Sequence, residues 1–299
     1  ILAACREVVV TIRPFMDTAL GSFGRAPPSS PAAAVAKAGS NGSQPKIPNA
    51  PRTSLALFAR AIKSFSVSQM TTNTFFKVAT FSNQWWAFSQ MQLGKNHLKD
   101  VEGLTFFKIL GSGAKNGFSA IPNFGTYVLF CVWETEQHAE AFFEFDPFFK
   151  AYQNRSSEHF TAYLHSAEAH GSWDGLQPFE KNAQLNPNQP IVVLTRARIR
   201  FRKLLSFWSR VGSVSQSLEG YDGLVLSIGI GEWPLIQQAT ISIWKTQKEM
   251  MDYAYQNPKH REVVALTRQL NWYKEEMFAR FVPYKFTGSW AGKSPGEFL

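Results

Sequence analysis

Apolar and polar positions along this chain follow two rhythms, period two and period three to four, and the same succession of rhythms occurs twice. TFFKVATFS (74–82) reads as a β-strand, and WWAFSQMQLGKNHLKD (85–100) places Trp85, Phe88 and Met91 or Gln92 at helical spacing. GLTFFKILG (103–111) and GTYVLFCVWE (125–134) read as two more strands, joined through the Gly-rich loop GSGAKNGFSAIPN. After Thr135 a short helix runs to about Phe145. Asp146-Pro147 then supplies an N-cap and a proline at the first helical position of another helix, and HFTAYLHSAEAHGSW (159–173) closes the unit as a strand. The second pass predicts a strand over 191–201, a helix over 204–218, and strands over 223–232 and 237–245. Helices over 246–256 and 258–270 and a strand over 276–290 complete it. Each pass has the order β-α-β-β-α-β, the split βαβ or ferredoxin-like motif.

Residue identities strengthen the repeat. VWETEQHAEAFFEFDPFFKAY (132–152) aligns without a gap on IWKTQKEMMDYAYQNPKHREV (243–263), so Trp133 faces Trp244, Thr135 faces Thr246, and Asp146-Pro147 faces Asn257-Pro258. GLTFFKILGSG from Gly103 matches GLVLSIGIGE from Gly223, and GSWDG (171–175) matches GSWAG (288–292). We read an internal duplication, two copies of one unit rather than a solenoid. The expected fold class is α+β, with tandem units over 73–180 and 188–292 covering each other's sheet faces as a dimeric-type α+β barrel within one chain. The repeated GSW then marks the end of each fourth strand, where a packing Trp precedes a Gly turn.

Charge changes the picture less than the total suggests. The chain of 299 residues carries a net charge of +9. Residues 1–70 hold eight Lys or Arg against two acids, leaving 23 basic and 20 acidic residues for the rest. The body is nearly neutral, and no basic stripe argues for nucleic acid. Residues 1–72, rich in Ala, Pro, Ser and Gly, bury too little apolar surface to offset their ordering entropy and are expected to be disordered. An Arg-containing, Ser-rich, acid-poor start fits a transit peptide, which would send the protein to a plastid; alternatively Met70 is the functional start and the location is cytoplasmic. No apolar run reaches the 18 or more residues of a bilayer span, which leaves peripheral membrane contact as the expected mode of any membrane association.

The thiols and histidines exclude several chemistries. Cys5 lies in the tail and Cys131 inside the apolar run YVLFCVW, so no thiol-based metal site is expected in the body. The six histidines, His97, His138, His159, His165, His170 and His260, form no HxxxH or HExxH motif. No GxSxG elbow accompanies a Ser-His-Asp set, and GSGAKNG lacks both the GK[ST] ending and the following helix of a phosphate loop. His260 differs from the others, because in the gapless alignment it faces Phe149 and packing therefore does not demand it. At a helix start the dipole disfavours imidazolium, leaving a neutral ring able to ligate a metal, and one His facing an apolar cleft is a usual protein contribution to haem iron. A surface or capping His fits the same position.

FFKILGSGAKNGFSAIPN, VLTRARIRF, IGIGEWPLIQQATISIW and NWYKEEMFARF, in that order, resemble the spheroidene monooxygenase family over roughly residues 74–292. Ser119-Ala120 stands where that family more often has Thr-Pro, and Lys245-Thr246 replaces its usual Pro-Asp. The resemblance implies an oxygenase that puts oxygen on an acyclic carotenoid or related isoprenoid, with O2 and an electron donor protein such as reduced ferredoxin as co-substrates. It implies haem lying between the second sheet and its helices, His260 as the iron ligand, and Lys108, Arg196 and Arg280 as candidate partners of the propionates. The 14% aromatic content suits a long apolar ligand and suits ordinary cores equally. Two alternatives share the fold: an oxygenase that needs no cofactor, and a non-enzymatic pigment or isoprenoid binder.

Overall fold

A run of Thr and Asn opens the first strand, and its burial shows how the sheet is built. β1 (Met70–Lys77) is buried up to its last residue: β3 (Pro122–Trp133) and β4 (Glu158–Gly171) pair with its two edges, Phe75 faces the barrel core, and Met70 and Phe76 face the side chains under the helices. Two of its hydroxyls are bonded inside the sheet: Thr72 accepts a hydrogen bond from Trp133 Nε1 at 2.9 Å, and the hydroxyls of Thr74 and Thr161 lie 3.0 Å apart. The strand therefore starts four residues before the apolar signal at 74. α1 (Phe81–Leu98) also begins early, since Thr80 caps it while Phe81 is left exposed. The computed structural model describes residues 68–114, 121–209, 218, 220–233 and 235–298. Residues 1–67 of the predicted disordered tail and 210–217 of the predicted 204–218 helix lie outside them, whereas residues 70–72, expected to belong to that tail, are ordered and buried in β1 because neighbouring strands pair with them.

The first half continues with β2 (Leu104–Gly113), β3, α2 (Glu136–Phe145), α3 (Pro147–Arg155) and β4. The second comprises β5 (Ile191–Ile199), a 3-10 turn over Phe201–Lys203 leading into helical residues 204–209, β6 (Leu224–Trp233) and β7 (Gln237–Trp244), then α4 (Gln247–Gln256), α5 (Pro258–Leu270) and β8 (Tyr273–Gly288). Thr135 and Thr246 cap α2 and α4 in the same way, each hydroxyl accepting from the backbone N–H three residues on. Asp146 caps α3 by accepting from the N–H of Phe148 and Phe149, with Pro147 at the first helical position.

The strands close into one barrel in the order β1-β3-β2-β6-β7-β5-β8-β4. Like strands meet at both seams. β2 pairs with β6 only at Gly111↔Gly231 and Ser112↔Ile230, whereas β4 and β8 pair from Phe160↔Gly288 to Gly171↔Met277. Closure removes sheet edges, and it creates a single interior core to which both halves contribute, including Phe75, Phe130, Phe160, Leu194, Ile241 and Phe281.

The two GSW segments end the seam strands. Gly171 and Gly288 adopt φ of 87° and 80°, and a Cβ on either would lie 2.1 Å from a backbone carbonyl of the opposite half, Glu276 O and His159 O respectively. Just beyond each, Trp173 and Trp290 join the interior core. Burying roughly 200 Å² apiece contributes about 5 kcal/mol gross per Trp.

Candidate active site

The two halves differ most on the outer faces of their sheets. In the first, aromatic side chains fill the space under the helices: Phe148, Phe149 and Tyr152 of α3 pack with Phe76, Phe142 and Trp133. In the second, the corresponding space is open. A cavity of about 730 Å³ lies between the outer face of β5–β8 and helices α4 and α5, within the roughly 300–1,000 Å³ typical of small-molecule and cofactor sites.

Strand register explains the opening. Phe107↔Cys131 in the first half corresponds to Ser227↔Ser242 in the second, and Ile109↔Leu129 corresponds to Gly229↔Thr240. The floor is thus built from small and hydroxyl-bearing residues, with Val193, Thr195, Phe278 and Arg280 around them. On the roof, the α3 positions of Phe148, Phe149 and Tyr152 are occupied in α5 by Lys259, His260 and Val263. Met250, Tyr253, Ala254 and Tyr255 of α4 and Arg261, Val264, Ala265 and Arg268 of α5 line that side.

The wall is apolar, with a few directed polar groups. Three guanidiniums border it, from Arg261, Arg268 and Arg280. Arg280 donates from Nη1 to Glu168 Oε2 at 2.9 Å and stacks 5.2 Å over the Phe278 ring. Among the described residues, its buried Nε and the buried Ser227 Oγ have no hydrogen-bond partner. Unpaired buried polar atoms are uncommon, and in a cavity wall they are the groups a ligand can satisfy. Ser242 is engaged, its Oγ accepting from Trp244 Nε1 at 2.9 Å.

The sequence candidates separate into two places. Arg280 lines the cavity. His260 lies in the first turn of α5, one residue before Arg261 and four before Val264, both of which line the cavity; its side chain lies outside the described residues. Lys108 and Arg196 are elsewhere, on the inward face of the barrel at one mouth. Arg196, 1% exposed, pairs with Glu275 and, at 3.2 Å, with Asp174. Lys108 pairs with Asp174 and, at 3.1 Å, with Glu232, which also accepts from Trp173 Nε1 at 2.8 Å. Met70 and Ile191 face equivalent tryptophans, Trp133 and Trp244, so Arg196 occupies the position of Phe75. Where Phe75 packs on Trp290 with ring centroids 5.7 Å apart, the Arg196 guanidinium lies 5.6 Å over Trp173.

None of the five other histidines lines the cavity, and among the described residues no cluster of three or more His, Cys, Asp or Glu could hold a metal. Cys131 is buried, which pushes its thiol well above the usual range and makes it a poor nucleophile. The hydroxyl floor went unnoticed in the linear reading, although aligning Ser227 and Ser242 with Phe107 and Cys131 would have exposed it. No helix is long and apolar enough to cross a membrane among the described residues.

Comparison with known proteins gives relatives along most of the described body. No family model matches. The chain is 35% identical to spheroidene monooxygenase of Rhodobacter capsulatus over 70% of its own length and 88% of that protein. It is 34% identical to spheroidene monooxygenase of Cereibacter sphaeroides over 77% of its length and 72% of that one. Among solved structures, an aldoxime dehydratase aligns with a TM-score of 0.49 at 9% identity, over 73% of this chain and 82% of that one.

Proposed function

This chain belongs to the spheroidene monooxygenase family, and on that premise we propose that it is a monooxygenase acting on a long apolar polyene of the carotenoid type at the cavity of its second half. In the overall reaction one atom of O2 enters the substrate and the other leaves as water, with two electrons from a reduced ferredoxin-type donor and two protons. One observation carries the reading: a doubled scaffold that is packed solid under its first pair of helices is open under the second.

The lining fits haem. Its volume is that of a cofactor site, its wall is mainly apolar, and three arginines offer partners for carboxylates. We assign position 260 as the iron ligand and Arg280, with Arg261 and Arg268, as the propionate partners. Bound there, haem supplies the iron that activates dioxygen. The protein's own residues do the rest. Val193 and Met250 exclude water, and the Ser227 and Thr240 hydroxyls offer hydrogen bonds from the floor. Lys108 and Arg196 serve the barrel mouth instead, since their charges are already committed to carboxylates on its inward face.

The absorption spectrum of the full chain, purified after expression with haem supply and recorded reduced with carbon monoxide, tests this. A Soret band is expected, and its loss in His260→Ala with an unchanged far-UV spectrum supports the ligand assignment. Full haem retention in that variant removes it. Oxygen consumption with a polyene but without any haem absorbance would instead establish the cofactor-independent oxygenase.

A further inference from the structure

Hydrophobic side chains exposed singly are ordinary, but one group of them lies among unpaired positive charges. Directly after β5 the chain reads Arg200-Phe201-Arg202-Lys203-Leu204-Leu205. Phe201 is 78% exposed and Leu205 51%. Among the described residues, Arg200, Arg202 and Lys203 take part in no ion pair, and no acid occurs between 198 and 209. The turn between β6 and β7 follows Trp233, the last residue of β6, which is 54% exposed. It is tied to this segment from both sides: Trp208 Nε1 donates to Leu235 O at 3.1 Å, and Ile199 N–H donates to Ile236 O at 2.8 Å.

We propose that the surface formed by Arg200–Leu205 and Trp233 docks on an anionic lipid bilayer, and that the bilayer delivers the apolar substrate to the neighbouring cavity. Aromatic side chains beside Arg and Lys match the interfacial zone of a membrane, where rings enter the headgroup boundary and cations meet anionic lipid. Location supports the pairing with the cavity. Arg200 N–H donates to Trp272 O just past α5, and Phe207 and Trp272 form one cluster against which Val263, Leu266 and Leu270 of α5 pack. Val264, Ala265 and Arg268 of the same helix line the cavity, so α5 borders both. Size supports it as well. The delivery step rests on the oxygenase reading above: a cavity suited to one cofactor-sized molecule admits only the end of a long polyene beside that cofactor, and the remainder needs an apolar medium outside.

Flotation of the full chain with phosphatidylcholine vesicles, alone or with phosphatidylglycerol, tests the surface without reference to haem or turnover. Binding is expected to the mixed vesicles and to fall sharply at 1 M salt, an ionic strength at which surface charges are screened within about 3 Å. Each basic residue near an anionic surface is worth roughly a fivefold factor, so Arg200→Gln/Arg202→Gln/Lys203→Gln should weaken partitioning about a hundredfold. Phe201→Ser/Leu205→Ser, which keeps the charge, should weaken it about tenfold or more, and Trp233→Ser should act in the same direction. Thermal melts check that these exposed substitutions leave the fold intact. Unchanged binding in both multiple variants would place membrane affinity elsewhere, in the basic N-terminal stretch for example, and overturn the proposal. No vesicle binding, or binding indifferent to lipid charge and salt, overturns it equally. So does a concentration-dependent dimer that Phe201→Ser/Leu205→Ser abolishes, because the occupant would then be a second copy. A negative flotation result leaves the oxygenase reading standing, and a missing Soret band leaves the docking result standing.

Discussion

At the scale of single residues, the most consequential exchange that geometry resolves is Arg196 in the place of Phe75. A guanidinium inside a barrel is costly unless its charge is met, and here Glu275 and Asp174 meet it. Burial alone would raise the carboxyl of Glu275, but bonds from Arg196, the Gly175 N–H and Ser172 outweigh it and hold the group at about 2, against an ordinary value of 4.5. Because the folded-state value is the lower one, the stability it contributes is present above about pH 4.5 and is lost as pH falls from there toward 2. Urea titrations across that window should show wild type losing stability, with Glu275→Gln less stable at neutral pH and flatter as acid is added. A second residue-scale expectation concerns Gly171. Its positive φ and the carbonyl 2.1 Å from an added Cβ predict that Gly171→Ala costs about 1–3 kcal/mol or more, readable as a lower midpoint in the same titrations, with Ser172→Ala milder.

At the scale of elements, the order of strands and helices was legible in the sequence because turn signals and apolar periods agreed with one another: Asp146 caps where it was expected, and Thr135 and Thr246, at which two helices were expected to begin, prove to cap them. Boundaries were less so. β1 begins in Met-Thr-Thr-Asn because two strands pair with its edges and packed layers cover its faces, a tertiary effect that periodicity does not carry. Two site candidates could have been placed better from the same pattern. Phe106, Lys108 and Leu110 share one face of β2 by period two, as do Val192, Leu194 and Arg196 of β5, so both cations belong to the barrel interior. The cavity was invisible in either half alone and exists only in their difference. Refilling it is the direct test. Ser227→Phe restores the residue that the first half carries at Phe107, and should abolish haem and ligand uptake while leaving the melting temperature equal or higher, since it packs apolar surface into an existing void. Retained uptake with a normal absorption spectrum would mean that the floor does not bound the functional site.

At the scale of the whole molecule, the matching strand order of the two halves explains why one chain makes a closed barrel. Each half is a four-stranded sheet in the order 4-1-3-2 or 8-5-7-6, with β2 and β4, or β6 and β8, at its edges. Joining them pairs β4 with β8 along most of their length and β2 with β6 at two positions only. The seams are therefore unequal, and the interior core is shared rather than divided. A separated half would expose the inner face carrying Phe75, Phe130, Val132 and Phe160, all wholly buried in the intact barrel, together with the long β4 edge, a liability that isolated sheets relieve by pairing. Residues 68–182 produced alone should consequently form a homodimer through β4 or aggregate, and co-production with 183–299 should recover a one-to-one complex. Size-exclusion chromatography with light scattering distinguishes these outcomes. A stable, soluble monomer of 68–182 with a cooperative melt would show that closure is not what holds this half together, and would return the shared core to the status of two cores in contact.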